Sequence, residues 1–62
     1  MYRLDFVIIR VSNPDGTYKD LAVDEFIQTP TNFLYSTIEE AERARIDLSR
    51  SAENGYYRIV EF

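Results

Sequence analysis

Residues 12–17, Ser-Asn-Pro-Asp-Gly-Thr, constrain this chain more than any other stretch. Proline fixes its φ near the value that the second position of a tight turn needs. Asparagine before it favours turn entry, and glycine accepts the left-handed geometry that follows. The chain must reverse here, through a type I turn with a bulge, the usual three-residue hairpin loop. Its flanks therefore form a hairpin. Residues 2–11 are rich in β-branched and aromatic side chains, and Phe6-Val7-Ile8-Ile9 is apolar on both parities, the mark of a central strand covered on both faces. Residues 18–28 are the expected return strand, ended by Thr29-Pro30-Thr31-Asn32. Setting Asn13 opposite Thr17 makes paired residue numbers sum to 30. That register places Val7 with Val23, Ile9 with Leu21 and Val11 with Lys19 on one face. Leu4 with Phe26, Ile8 with Ala22, Arg10 with Asp20, and Phe6 beside Asp24 take the other.

After Phe33, Leu34 and Tyr35, which could cover a face or add a short strand, the period changes. Ser36 with Glu39 forms a capping box, and Glu39, Glu40 and Glu42 suit the positive end of a helix dipole. A helix over residues 37–52 brings Ala41, Ala44, Leu48 and Ala52 to one face, with Ile38 at its margin, Arg45 snorkelling from its edge and Ile46 pointing elsewhere. Glu39 with Arg43 and Arg43 with Asp47 are spaced for surface ion pairs. Asn54-Gly55 is the expected helix stop, with glycine in the left-handed cap. Residues 56–62 are the last strand, Tyr57 and Ile59 projecting to one side and Tyr56, Val60 and Phe62 to the other.

Strand, strand, helix, strand gives an α+β fold: a small two-layer ββαβ domain, residues 33–35 being a candidate extra strand. If the first strand lies between the other two, the sheet is mainly antiparallel with order 2-1-3, and one helix lies on one face. All 62 residues form a single domain, 1–62, with no internal repeat or low-complexity segment.

A domain this small buries only about 60% of the surface its unfolded chain exposes, and small scaffolds usually add a staple. With no Cys and no His, disulfides and the commonest metal ligands are absent, so association with a partner is the remaining one. The amino-terminal apolar run is split by Arg3, Asp5 and Arg10, unlike a secretory signal or membrane span, so a soluble, cytoplasmic chain with no membrane role is expected. Eleven acids against seven bases give a net charge of −4, which disfavours a nucleic-acid partner. No cofactor is expected.

Candidate sites compete with plainer readings. Asp20 and Asp24 are about 13 Å apart along a strand, too far to share one ion directly, so they read as solvated acids. Asn-Pro-Asp-Gly lacks the later oxygen ligands of a calcium loop. Asp5 opposite Glu25 would make a like-charge pair with one raised pKa, an imitation acid dyad, but no nucleophile accompanies it and Arg3 and Arg58 can neutralise it. The amides at Ser36-Thr37 could hold an anion, but three glutamates would repel it. Tyr56, Tyr57 and Phe6 could stack single-stranded bases, with only Arg58 among them to meet phosphate. The chain is expected not to be an enzyme.

A sheet apolar on both faces with one alanine-faced helix leaves one face uncovered. Such patches mark association sites. The expected function is a non-enzymatic interaction module, a homodimer or a small modulator or inhibitor of another protein, with Phe6, Ile8, Phe26, Tyr56, Tyr57, Val60 and Phe62 as interaction residues. The phrase STIEEAERA…GYYRIVEF resembles the ending of many small α+β domains, including ones in phage accessory proteins, which implies a viral accessory role among the options. The rival reading is an acidic mimic of nucleic acid that occupies another protein's basic groove, ten of the eleven acids (Asp5, Asp15, Asp20, Asp24, Glu25, Glu39, Glu40, Glu42, Glu53 and Glu61) supplying the charge.

Overall fold

The computed structural model describes residues 1–62 as five strands and one α-helix. Strand β1 is Tyr2–Ile8, β2 Arg10–Ser12, β3 Tyr18–Asp20, β4 Ile27–Tyr35, α1 Ile38–Ser51 and β5 Gly55–Glu61. A three-stranded sheet has the order β4-β1-β5, with β1 antiparallel to both neighbours. The fold is the small α+β domain that the element order implies, with the first strand central. No helix is long and apolar enough to cross a membrane.

The hairpin loop forms at the expected place. Gly16 has φ 87°, Asn13 N–H donates to Thr17 O at 2.7 Å and Gly16 N–H to Asn13 O at 3.1 Å. Asp15 Oδ1 accepts from both the Thr17 amide (3.0 Å) and its hydroxyl (2.6 Å). These hydroxyl and amide bonds hold the Asp15 carboxyl below its ordinary pKa. Arg10–Asp20, Val11–Lys19 and Ser12–Tyr18 pair in the register summing to 30, and Leu21 N–H still reaches Ile9 O at 2.8 Å.

Beyond Leu21 the expected return strand is wrong. The chain leaves β1 in a short 3-10 turn, Val23–Glu25, whose Glu25 carboxylate accepts from Ala22 N–H at 2.9 Å. Val7–Val23, Ile8–Ala22 and Leu4–Phe26 do not pair, and Phe6 is opposite Thr29 instead of Asp24. The physical reason is charge. The continued hairpin would set Glu25 against Asp5, which is buried. Residues 27–35 serve β1 better, so Thr29-Pro30-Thr31-Asn32 lies inside a strand, and residues 33–35 belong to that same strand.

Pro30 is tolerated there because of ladder parity. In an antiparallel ladder every second residue points its amide and carbonyl at a given neighbour. Met1 and Phe62 exchange both backbone bonds, and Ile9 N–H reaches Asn54 O, so the odd residues of β1 bond towards β5. Asp5, the partner of Pro30, thus faces β5, and the missing proline N–H falls on the free edge of β4. The register then slips by two, leaving residues 31–33 as a bulge opposite Leu4. Thr31 Oγ1–H fills the vacated acceptor, donating to Leu4 O at 2.6 Å.

The helix starts one residue later than expected. Thr37, not Ser36, is the cap: its Oγ1 accepts from Glu40 N–H and its hydroxyl donates to Glu40 Oε1 at 3.0 Å. Ala41 is fully buried, and Ala44, Arg45, Leu48 and Ala52 are half-buried, while Ile46 is exposed. The ion pair on the helix is Arg45–Glu42 at 2.9 Å, in place of the Arg43 pairs. Ala52 N–H closes the helix on Ser49 O. Gly55 is not a left-handed cap, since Gly16 alone has positive φ. It sits where a Cβ would collide with Val7 O and lie 2.8 Å from the Phe6 ring. Close approach of β5 to β1 is its reason.

The molecule measures 41 × 22 × 17 Å, and its Cα radius of gyration is 12.9 Å. A compact chain of this length would have about 10.6 Å. Residues 2–12 form a nearly continuous extended run of about 36 Å, which sets the long axis. The β2–β3 hairpin continues that run as a separate two-stranded sheet.

Candidate interaction site

Register divides the sheet into two faces. Residues directly opposite share a face, so Leu4, Phe6, Tyr57 and Ile59 lie on one and Arg3, Asp5, Val7, Tyr56, Arg58 and Val60 on the other. Burial along β5 follows this as far as Ile59: Tyr57 and Ile59 are half-buried and Tyr56 and Arg58 exposed, while Val60 on the open face is also half-buried. Leu4 and Ala41 are both closed from solvent, which puts α1 over the first face. Ser49 Oγ on α1 also accepts from Tyr57 N–H at 3.0 Å. On this face the Phe6 and Tyr57 rings meet at 4.9 Å, and the exposed Phe33 ring lies 6.4 Å from Tyr57. Such tilted pairs contribute about 0.5–1.5 kcal/mol beyond burial.

The helix does not cover the opposite face, and the centre of that face is polar, contrary to the expectation of an apolar centre on both faces. Asp5 is only 3% exposed. Its Oδ1 accepts from Arg3 Nε at 2.7 Å, and its Oδ2 from Arg3 Nη2 at 3.3 Å and Gln28 Nε2 at 2.8 Å. Gln28 Oε1 in turn accepts from Arg58 Nη1 at 3.3 Å. The Arg3 hydrogen bonds hold the Asp5 carboxyl below its ordinary pKa against the upward push of burial, with Gln28 and the Arg58 charge adding to the lowering. The Asp5–Glu25 dyad is therefore not formed: Asp5 faces Pro30 and Arg58, and its pKa moves down.

Apolar side chains border this polar seam. Val7 and Tyr56 pair at one end; at the other stand Val60, Leu34 opposite Arg3, and Phe62, whose ring lies 5.8 Å beneath the Arg3 guanidinium. Tyr56, Leu34 and Phe62 are exposed. Of the seven side chains singled out from sequence, the structure brings Tyr56, Val60 and Phe62 together on the open face. Phe6, Ile8 and Tyr57 lie on the helix side, and Phe26 follows the 3-10 turn ahead of β4. Arg3, Gln28 and Leu34 belong to the open face and were not among the seven. A signal existed for one of them, since Arg3 and Asp5 are two apart on a strand and so share a face.

The chain matches no protein-family model, no curated protein and no solved structure at significant similarity.

Proposed function

We propose that this chain is a non-enzymatic protein–protein interaction module whose contact surface is the open face of the three-stranded sheet. The observation that carries this is the imbalance of burial. Only Leu4, Val7 and Ala41 are buried apolar side chains, and of these Val7 alone lies on the open face, whose two ends expose Tyr56 and, beyond the polar seam, Leu34 and Phe62. The accessible surface, 4547 Å², exceeds the about 4,200 Å² that a compact monomer of this mass would show.

The seam of Arg3, Asp5, Gln28 and Arg58 suits the face to a protein partner. A guanidinium over an aromatic ring, flanked by a tyrosine and aliphatic side chains, has the mixed composition of contact centres, where Tyr, Phe and Arg are enriched. A small modulator of another protein would use this face; a homodimer would use it together with the adjoining β5 edge. A cytoplasmic setting accompanies this reading, because a cysteine-free chain gains nothing from an oxidising compartment.

Sedimentation at micromolar concentration, run beside binding of a hydrophobic dye, tests the reading. Self-association or strong dye binding is expected from the folded chain. A folded, strictly monomeric species with no dye binding would sink it.

A further inference from the structure

The free backbone edge of β5 bears on which partner fits. The parity that directs the odd residues of β1 to β5 also directs Tyr56, Arg58, Val60 and Phe62 of β5 back to β1. Gly55, Tyr57, Ile59 and Glu61 therefore point their amides and carbonyls away from the sheet. Ser49 Oγ takes the Tyr57 N–H, which confirms the direction and covers that part of the edge from the helix side. Beyond that part of the edge, Ile59 and Glu61 each have one donor and one acceptor facing outward.

The two edges of the sheet differ. On β4, Pro30 removes an outward donor and the bulge at residues 31–33 breaks the line, the usual devices that stop a strand from recruiting another. On β5, residues 58–62 contain neither proline nor glycine and pair with β1 in one unbroken register.

We infer that the partner is a second copy of the chain, joined along β5 by antiparallel two-fold pairing centred on Val60, to make one continuous six-stranded sheet. This rests on the interaction-module reading and names its partner. About a two-fold axis perpendicular to the sheet, paired residue numbers sum to twice the residue on the axis. Centring on Arg58 sets like charges opposite each other, and centring on Ile59 runs the partner's Glu61 into the stretch beside Tyr57 that Ser49 occupies. Centring on Val60 pairs Ile59 with the second copy's Glu61, so all four outward groups of these two residues are used, in four hydrogen bonds across the axis. On the open face this register sets Val60 against its own copy and Arg58 against the copy's Phe62 ring. That repeats between copies the guanidinium–ring contact Arg3 makes within one. The two open faces become one surface.

A two-fold non-hydrogen-bonded pair has Cα atoms about 4.5 Å apart, inside the range a disulfide spans. The chain has no cysteine, so Val60→Cys gives a single reporter on the axis, with Asn32→Cys on the exposed β4 bulge as the control. In a glutathione buffer at micromolar protein, V60C is expected to form a disulfide dimer at least about tenfold faster than N32C, from the raised local concentration. Its far-ultraviolet circular dichroism should match that of the unmodified chain. Glu61→Pro removes one outward N–H and no β1 bond, so it should shift the sedimenting species from dimer to monomer while Glu61→Ala leaves a dimer. Cross-linking of V60C no faster than N32C overturns the pairing. If the unmodified chain still self-associates in that case, the module reading survives and only the edge falls; a folded monomer without dye binding ends both.

Discussion

Replacing Asp5 with alanine probes the seam at the centre of the open face. The side chain is nearly closed from water and accepts three hydrogen bonds, two from Arg3 and one from Gln28. Breaking a fully buried pair by removing one partner costs about 3–5 kcal/mol. Here the Arg3 side chain is one-third exposed (32%) and can turn to water, so the cost of D5A falls to about 2–3 kcal/mol. At about 4–8 °C per kcal/mol for a domain this small, the melting temperature should drop by roughly 10–20 °C. The acid side adds an independent check. Because the folded carboxyl is held below its ordinary pKa, its contribution is fully present above the unfolded value of about 3.9 and is lost as pH falls towards the folded value. Asp5→Asn carries no such contribution, so the stability gap between the unmodified chain and D5N should narrow as pH is lowered from about 5 to 2. Asp15, also lowered, is common to both chains and cancels. Denaturant titrations over that range measure the gap. A D5A chain within about 0.5 kcal/mol of the parent, or a gap constant with pH, would refute the seam's role.

Three further perturbations test the fold. Thr37→Ala should cost about 1 kcal/mol in chemical denaturation and Ser36→Ala close to nothing, since Thr37 makes the cap bonds. Gly55→Ala places a methyl group against Val7 O and the Phe6 ring, so β5 must move off β1; a loss of about 2 kcal/mol or more, with changed Tyr57 ring resonances, is expected. Deleting residues 59–62 removes the Leu4–Ile59 and Arg3–Val60 pairs and the Met1–Phe62 bonds, and should abolish cooperative thermal unfolding. A chain that stayed folded would make the carboxyl-terminal strand a docking tail.

Local chemistry was the legible part. Asn-Pro-Asp-Gly specifies its own loop, and the helix face at Ala41, Ala44 and Leu48 follows from spacing alone. Ser36-Glu39 and Thr37-Glu40 are equally good capping boxes, so choosing between them depends on where β4 delivers the chain. The second half of the hairpin was illegible for a longer-range reason. Residues 22–26 continue the hairpin's register with Val23 and Phe26, but the competing stretch 27–35 avoids setting Glu25 against Asp5. Its proline reads as a breaker until ladder parity shows that no bond is lost. The polar seam was hidden for the same cause: Gln28 reaches Asp5 only in the register that β4 adopts.

The mutual bonds of Met1 and Phe62 place the two chain ends at one corner, with Met1 N 3.1 Å from Phe62 O. A short peptide linker could close the backbone into a ring without disturbing either strand. The cut could then be reopened at the exposed Gly16 loop, giving a permuted chain in which β1 follows β5 directly. Such a chain would turn β1 and β5 into a local hairpin. The contacts of widest sequence separation in the native order would become local ones, which lowers contact order and favours faster folding.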